Sequence, residues 1–195
     1  GNFDDKNVGT GKTITATYTL SGTDASNYSI SSATTTGSIT AKALTISGLT
    51  GTNREYDGTV AATINSAGIV KTGLVSGDTV TITATGVFND KNVGTGKAVT
   101  ISSTYGGADA GNYTITDQTA TTANITAKVL TIATNFTSTT KEYDGTTSIN
   151  ITTSSLTGVV DGESVTATGS GNFDDKNVGT GKTITATYTL SGTDA

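Results

Sequence analysis

The chain has 195 residues and a formal net charge of −5, and about a quarter of its residues are Thr. It contains no Cys, His, Met, Pro or Trp, which excludes disulfides, thiolate metal sites and histidine general bases, and the acidic balance with no basic patch argues against nucleic acid. No apolar run reaches the length of a membrane span and no signal peptide is visible, so no membrane insertion is expected here.

Residues 1–12 read Gly-Asn-Phe-Asp-Asp-Lys-Asn-Val-Gly-Thr-Gly-Lys, a run of turn residues. Residues 13–20 then alternate. Ile14, Ala16, Tyr18 and Leu20 share one face, and the opposite face is Thr throughout. This predicts a half-buried strand, since Thr is β-branched and leaves its hydroxyl on the wet side. The same alternation returns at Val80, Ile82 and Ala84, at Val99 and Ile101, at Ile125, Ala127 and Val129, and at Ile149 and Ile151. Turn pairs separate these runs: Asp57-Gly58, Gly77-Asp78, Gly106-Gly107 and Asp161-Gly162. No segment carries helical periodicity.

The chain repeats itself. Residues 1–25 recur unchanged at 171–195, and a variant of their central block lies halfway, at 88–97. The unit is thus about 85 residues. Residues 24–28 match 109–113, 39–46 match 125–132, 54–59 match 141–146, and 77–80 match 162–165, always in the same order. The expected organisation is the C-terminal half of a unit at 1–43, a complete unit at 44–129 and the N-terminal part of the next at 130–195. With no initiator Met, the chain reads as a piece of a longer array. The expected fold is all-β, each unit an Ig-like β-sandwich of about seven strands. No Gly/Ser linker interrupts 42–46 or 128–132, so the units should form an elongated, stiff rod. Val129 followed by Leu130 breaks the alternation, as a strand does when it changes sheets.

Several ordered blocks resemble a known family. Lys141-Glu-Tyr-Asp-Gly-Thr-Thr147, the Asp-Lys-Asn-Val-Gly-Thr-Gly-Lys block, Asp109-Ala-Gly-Asn-Tyr113 and the following Ile125-Thr-Ala-Lys are similar to the YDG repeat. The first motif copy departs from the pattern with Arg54 and Val60. YDG and related MBG units occur in tandem in very large bacterial surface proteins, many of them filamentous-haemagglutinin-like adhesins. The resemblance implies an extracellular, cell-surface or secreted location, an Ig-like fold and a spacer or adhesion role. It transfers no catalytic residues.

Each motif has a structural and a functional reading. Tyr56-Asp57-Gly58 and Tyr143-Asp144-Gly145 suit a turn: Tyr buries its ring, Asp accepts backbone N–H groups and Gly supplies positive φ. The Asp-Asp-Lys-Asn-Val-Gly-Thr-Gly-Lys block lacks the spacing and helix of a phosphate loop, so it too is a turn. Calcium needs several oxygen ligands, and its candidates are Asp4, Asp5, Asp24, Asp57, Asp90, Asp109 and Asp144. No Asp-x-Asp-x-Asp-Gly loop exists, so no cofactor is expected, with structural calcium as the alternative. Lys42 and Lys128, in strands, are candidates for an internal amide bond. Sequons stand at Asn27, Asn112, Asn124, Asn135 and Asn150. Tyr105, before Gly106-Gly107, is the aromatic that core repetition does not explain.

The acidic motifs come in tandem copies, and no enzyme is expected. The first functional expectation is a stalk or fibre segment of a large extracellular bacterial adhesin. One alternative is a self-assembling filament, in which strands of one chain complete a split unit of another. The other is a glycan- or protein-binding adhesion module. Partners are neighbouring repeats of the same chain and other copies of it.

Overall fold

A computed structural model of the chain describes residues 1–132, 140–151 and 156–195. The described residues form two compact units, Gly1–Arg54 with Val60–Ile125, and Glu55–Thr59 with Thr126–Ala195. Their regular structure is strand, apart from two three-residue 3-10 turns, Ala25–Asn27 and Ala110–Asn112. No helix among them is long and apolar enough to cross a membrane.

The first unit opens with β1 (Asn2–Phe3), β2 (Gly9–Ala16) and β3 (Ala33–Ile39), an antiparallel sheet in that order. Two residues later the chain enters β4 (Lys42–Ser47), which belongs to a different sheet. Then follow β5 (Thr50–Gly51), β6 (Arg54–Glu55), β7 (Ala61–Ala62), β8 (Ile64–Asn65), β9 (Val70–Thr72), β10 (Thr81–Phe88), β11 (Gly94–Gly106), β12 (Tyr113–Thr116) and β13 (Ala120–Thr126). The larger sheet has the order β6-β13-β11-β10-β7. The smaller has the order β12-β4-β9, and β5 pairs with β8.

The alternation read at Val80, Ile82 and Ala84 and at Val99 and Ile101 falls in the core, whereas the run expected at Ile125, Ala127 and Val129 stops at Thr126 and leaves Val129 exposed. Leu44 and Ile46 of β4, Leu49, Val80, Ile101 of β11 and Tyr113 of β12 form one buried cluster. Ile64, Ile69, Ile82 and Ala84 pack against it. Both sheets contribute, so each hides one apolar face against the other and leaves its threonines outside. Burying each large aliphatic side chain is worth about 1.5–3 kcal/mol.

Two features depart from the expected sandwich. β4 and β12 run parallel, Lys42 opposite Tyr113 through Thr45 opposite Thr116. The segment from β4 to β13 holds ten strands rather than about seven, because several edges pair over only two residues.

The second unit contains β14 (Thr131–Ile132), β15 (Ser148–Ile151), β16 (Leu156–Thr157), β17 (Thr166–Phe173) and β18 (Ile184–Ser191). β14 pairs with β16, and the sheet order is β15-β17-β18. Gly86 and Gly171 hold equivalent places on β10 and β17. A Cβ at Gly86 would lie 2.6 Å from Ile64 Cδ1, and one at Gly171 would lie 2.6 Å from Ile151 Cδ1. Glycine there lets an isoleucine from a neighbouring strand reach the sheet.

The identical 25-residue peptides do not form identical strands. The predicted strand over 13–20 ends at Ala16 in the first copy, leaving Tyr18 and Leu20 exposed. In the second copy the strand runs from Ile184 to Ser191. β18 has the eight residues of β17 to pair with, whereas β1 offers β2 only Asn2 and Phe3. Conversely, β3 supports β2 from Gly9 onward.

Candidate functional site

The turn block is built the same way three times. Asp5 Oδ1 accepts the Asn7 N–H at 2.6 Å, Asp90 that of Asn92 at 2.8 Å, and Asp175 that of Asn177 at 2.6 Å. The last lysine of each block folds back onto the same aspartate: Lys12–Asp5 2.6 Å, Lys97–Asp90 2.7 Å and Lys182–Asp175 2.6 Å. These lysines hold Asp5, Asp90 and Asp175 below the ordinary carboxylate range. The charges that suggest a phosphate loop therefore neutralise one another inside a turn.

The middle lysine of the block points elsewhere. Lys6 Nζ lies 2.8 Å from Asp78 Oδ1 and 2.7 Å from Asp109 Oδ1. Beside it the Val8 N–H donates to Asn112 Oδ1 at 2.9 Å, and Asn112 Nδ2 donates to Asn7 Oδ1 at 3.1 Å. Residues 6–8 thus grip the two turns at one end of the following β4–β13 segment. The two carboxylates are themselves anchored. Tyr113 donates its hydroxyl proton to Asp78 Oδ2 at 2.6 Å and accepts the Val75 N–H at 3.0 Å. Asp109 Oδ2 accepts the Thr79 N–H at 2.8 Å, and its own N–H donates to the Thr79 carbonyl at 3.2 Å. Lys6 is the first cause that lowers the pKa of Asp78 and of Asp109, and the pair raises that of Lys6. Burial, then the hydrogen bond to Asp78, raises that of Tyr113.

The Tyr-Asp-Gly motifs are turns, as their composition implies. Asp57 Oδ1 accepts from the Thr59 N–H and hydroxyl, both at 2.8 Å. Asp144 Oδ1 does the same with Thr146, both at 2.9 Å. Gly58 and Gly145 take φ of 79° and 77°. Lys141, then the Thr146 bonds, lower the Asp144 pKa to about 2. The two loops differ in what they touch. Within the second unit, Tyr56 donates its hydroxyl to Glu163, the Tyr56 N–H reaches the Thr126 carbonyl at 2.9 Å, and Lys128 Nζ lies 3.5 Å from Glu55. A Cβ on Gly58 would come within 2.9 Å of Val160 Cγ1. Tyr143 instead is 59% exposed and lines an open groove of about 400 Å³ with Phe173, Lys176, Val178 and Ile184.

One substitution helps explain the groove. Arg54 lays its guanidinium 5.2 Å from the Phe88 ring centre, and Phe88 is buried. Lys141, at the matching place, turns to Asp144, Thr146 and Ser148. A planar guanidinium covers an aromatic face better than a compact ammonium.

The calcium candidates do not converge. Asp4 and Asp5 share Lys12, and Asp90 and Asp144 each hold their own lysine. Asp109 meets Lys6, and Asp57 closes its turn. Asp24 precedes a 3-10 turn and makes no side-chain cap bond. Among the described residues no three acidic groups gather as a metal would need. Lys42 is exposed and Lys128 pairs with Glu55, so neither has the buried setting an amide bond requires. Tyr105 is half-buried against the core and not a surface platform. The Asn112 and Asn124 side chains hold backbone N–H groups of Val8 and Gly96. Asn27 lies in the first 3-10 turn and Asn150 in β15, while Asn135 lies outside the described residues.

Lys6, Asp78 and Tyr113 are the site residues that motif reasoning passed over. A signal existed: the acid at Asp78 is kept as Glu163, and Lys6 stands in each turn block as Lys91 and Lys176.

A family model described as the YDG domain matches residues 1–36, 40–122 and 126–195. No curated protein and no solved structure matches the chain.

Proposed function

Because the chain belongs to the YDG domain family, we propose that it is a structural stalk or fibre segment of a large extracellular bacterial adhesin or surface filament, built of tandem Ig-like repeats set end to end. The clasp of Lys6 on Asp78 and Asp109 carries this reading. It ties the segment matched at 1–36 to the one matched at 40–122 through residues that belong to the repeated blocks themselves. A module that uses its own signature turns to hold the next module gains length with each copy. The groups of the clasp are committed to one another, which suits holding rather than turnover.

Negative-stain electron microscopy of the purified chain, with calcium and with a chelator, tests the reading. Short separate rods in both conditions support it. Compact particles overturn it. Long fibres would assign the chain to a self-assembling filament, joined by strand exchange between copies.

A further inference from the structure

The two copies of the 25-residue peptide present the same turn in two states of occupancy. At 1–25, Lys6 has two carboxylate partners, the Val8 N–H is bonded, and Val8 is 37% exposed. At 171–195 the turn is held in the same way, by Asp175 with Asn177 and Lys182. Yet Lys176 makes no ion pair among the described residues, and Val178 is 89% exposed. The Tyr-Asp-Gly loops show the same contrast. Tyr56 bonds Glu163, the counterpart of Asp78, with Val160 against Gly58, while Tyr143 stands open beside Lys176 and Val178 in one groove.

We propose that the face made by Tyr143, Lys176 and Val178 is the unfilled half of a domain joint, and that it takes the acidic turn of a further YDG domain. The two contacts of such a joint are seen separately in this chain, a lysine on Asp78 and Asp109 and a tyrosine on Glu163. One half donates a lysine and a tyrosine. The other offers the carboxylate seen as Asp78 or Glu163, with Asp109 beside it. The match is electrostatic and specific in register: a lysine with no ion pair among the described residues meets a pair of carboxylates already fixed by Tyr113 and Thr79. Val178 then covers its apolar surface as Val8 does. This makes the family's signature motif a coupling device between domains. It deepens the stalk reading by naming the partner of this face.

Amine acetylation followed by mass spectrometry tests the proposal. In the chain itself Lys6 is expected to react about fivefold slower than Lys176, since Lys6 is paired with two carboxylates and Lys176 makes no ion pair among the described residues. Equal rates overturn the proposal. The register of the repeat then permits a longer chain, with a second copy of residues 26–125 placed after Ala195. There Lys176 is expected to slow to the rate of Lys6, and Asn at the two appended acids should restore its reactivity. An unchanged Lys176 rate overturns the proposal. Slowing that rises with concentration in the unextended chain would mean that a second copy takes the face, and also overturns it. Small-angle scattering on the same samples reports on the stalk separately. A rod with fast Lys176 removes the joint and leaves the stalk, whereas a compact particle with slow Lys176 does the reverse.

Discussion

Asp194 holds Ser164 as Asp109 holds Thr79. Its carboxylate accepts the Ser164 N–H at 3.0 Å, and its N–H donates to the Ser164 carbonyl at 3.3 Å. The pair recurs 85 residues after its first instance, in a separate unit. It clips the far end of a β-hairpin where ladder bonds stop. Asp109→Ala is expected to lower Tm by about 5 °C, and Asp109→Asn by less, because the amide still accepts the N–H bond. Asp24→Ala, which removes no side-chain cap bond, is the control and should leave Tm within about 1 °C. Thermal denaturation followed by circular dichroism decides it.

The glycines two residues before Asp109, which clips, and Asp24, which does not, make a second, sharper comparison. Gly107 has φ of 102°, and a Cβ there would lie 2.4 Å from the Thr79 carbonyl oxygen. Gly22 has φ of 121° with nothing within 4 Å. Ala at Gly22 meets only backbone strain, about 1–2 kcal/mol. Ala at Gly107 adds a clash with backbone and should cost about 3 kcal/mol or more. Urea titration of both variants measures the gap, and equal costs would refute the close approach.

The clasp predicts a pH window. Asp78 and Asp109 are depressed in the folded chain, so their contribution is present above the ordinary value of 3.8 and fades as pH falls through their lower folded values. Lys6 is raised, so its contribution is complete below 10.5 and fades as pH rises through its higher folded value. The Tm difference between the native chain and Lys6→Met should be flat between about pH 4 and about pH 10 and shrink on both sides. A difference that changes near neutrality would contradict this assignment.

Arg54 and Lys141 can be exchanged. Arg54→Lys uncovers the Phe88 ring and is expected to cost about 0.5–1 kcal/mol. Lys141→Arg should cover Phe173 and narrow the groove beside Tyr143, with a gain of similar size. Chemical denaturation gives the energies, and slower oxidation of Tyr143 would report the narrowing.

Calcium at millimolar concentration is expected to shift Tm by no more than about 1 °C. The candidate carboxylates are dispersed, and most already hold lysines or backbone N–H groups. A rise of several degrees, reversed by chelator, would show that calcium displaces them.

Much of this was written locally. The alternation at Val80, Ile82 and Ala84 and at Val99 and Ile101 marks the core face, because side chains in a strand alternate sides. The Asx turns at Asp57 and Asp144 follow from short-range chemistry, as an aspartate reaches an N–H two residues on. The parallel partner of β4 was not legible, since either direction buries the same residues. Nor was the fate of Lys6, whose carboxylates lie more than 70 residues away.

The 25-residue peptide separates the two kinds of information. Its sequence determined the turn in both copies, with the same aspartate, asparagine and lysine bonded at the same distances. That turn closes on itself and needs nothing beyond ten residues. The tertiary structure decided how far the strand runs, Gly9–Ala16 in one copy and Ile184–Ser191 in the other. A strand's backbone bonds are made to other strands, so its length is a property of its neighbours.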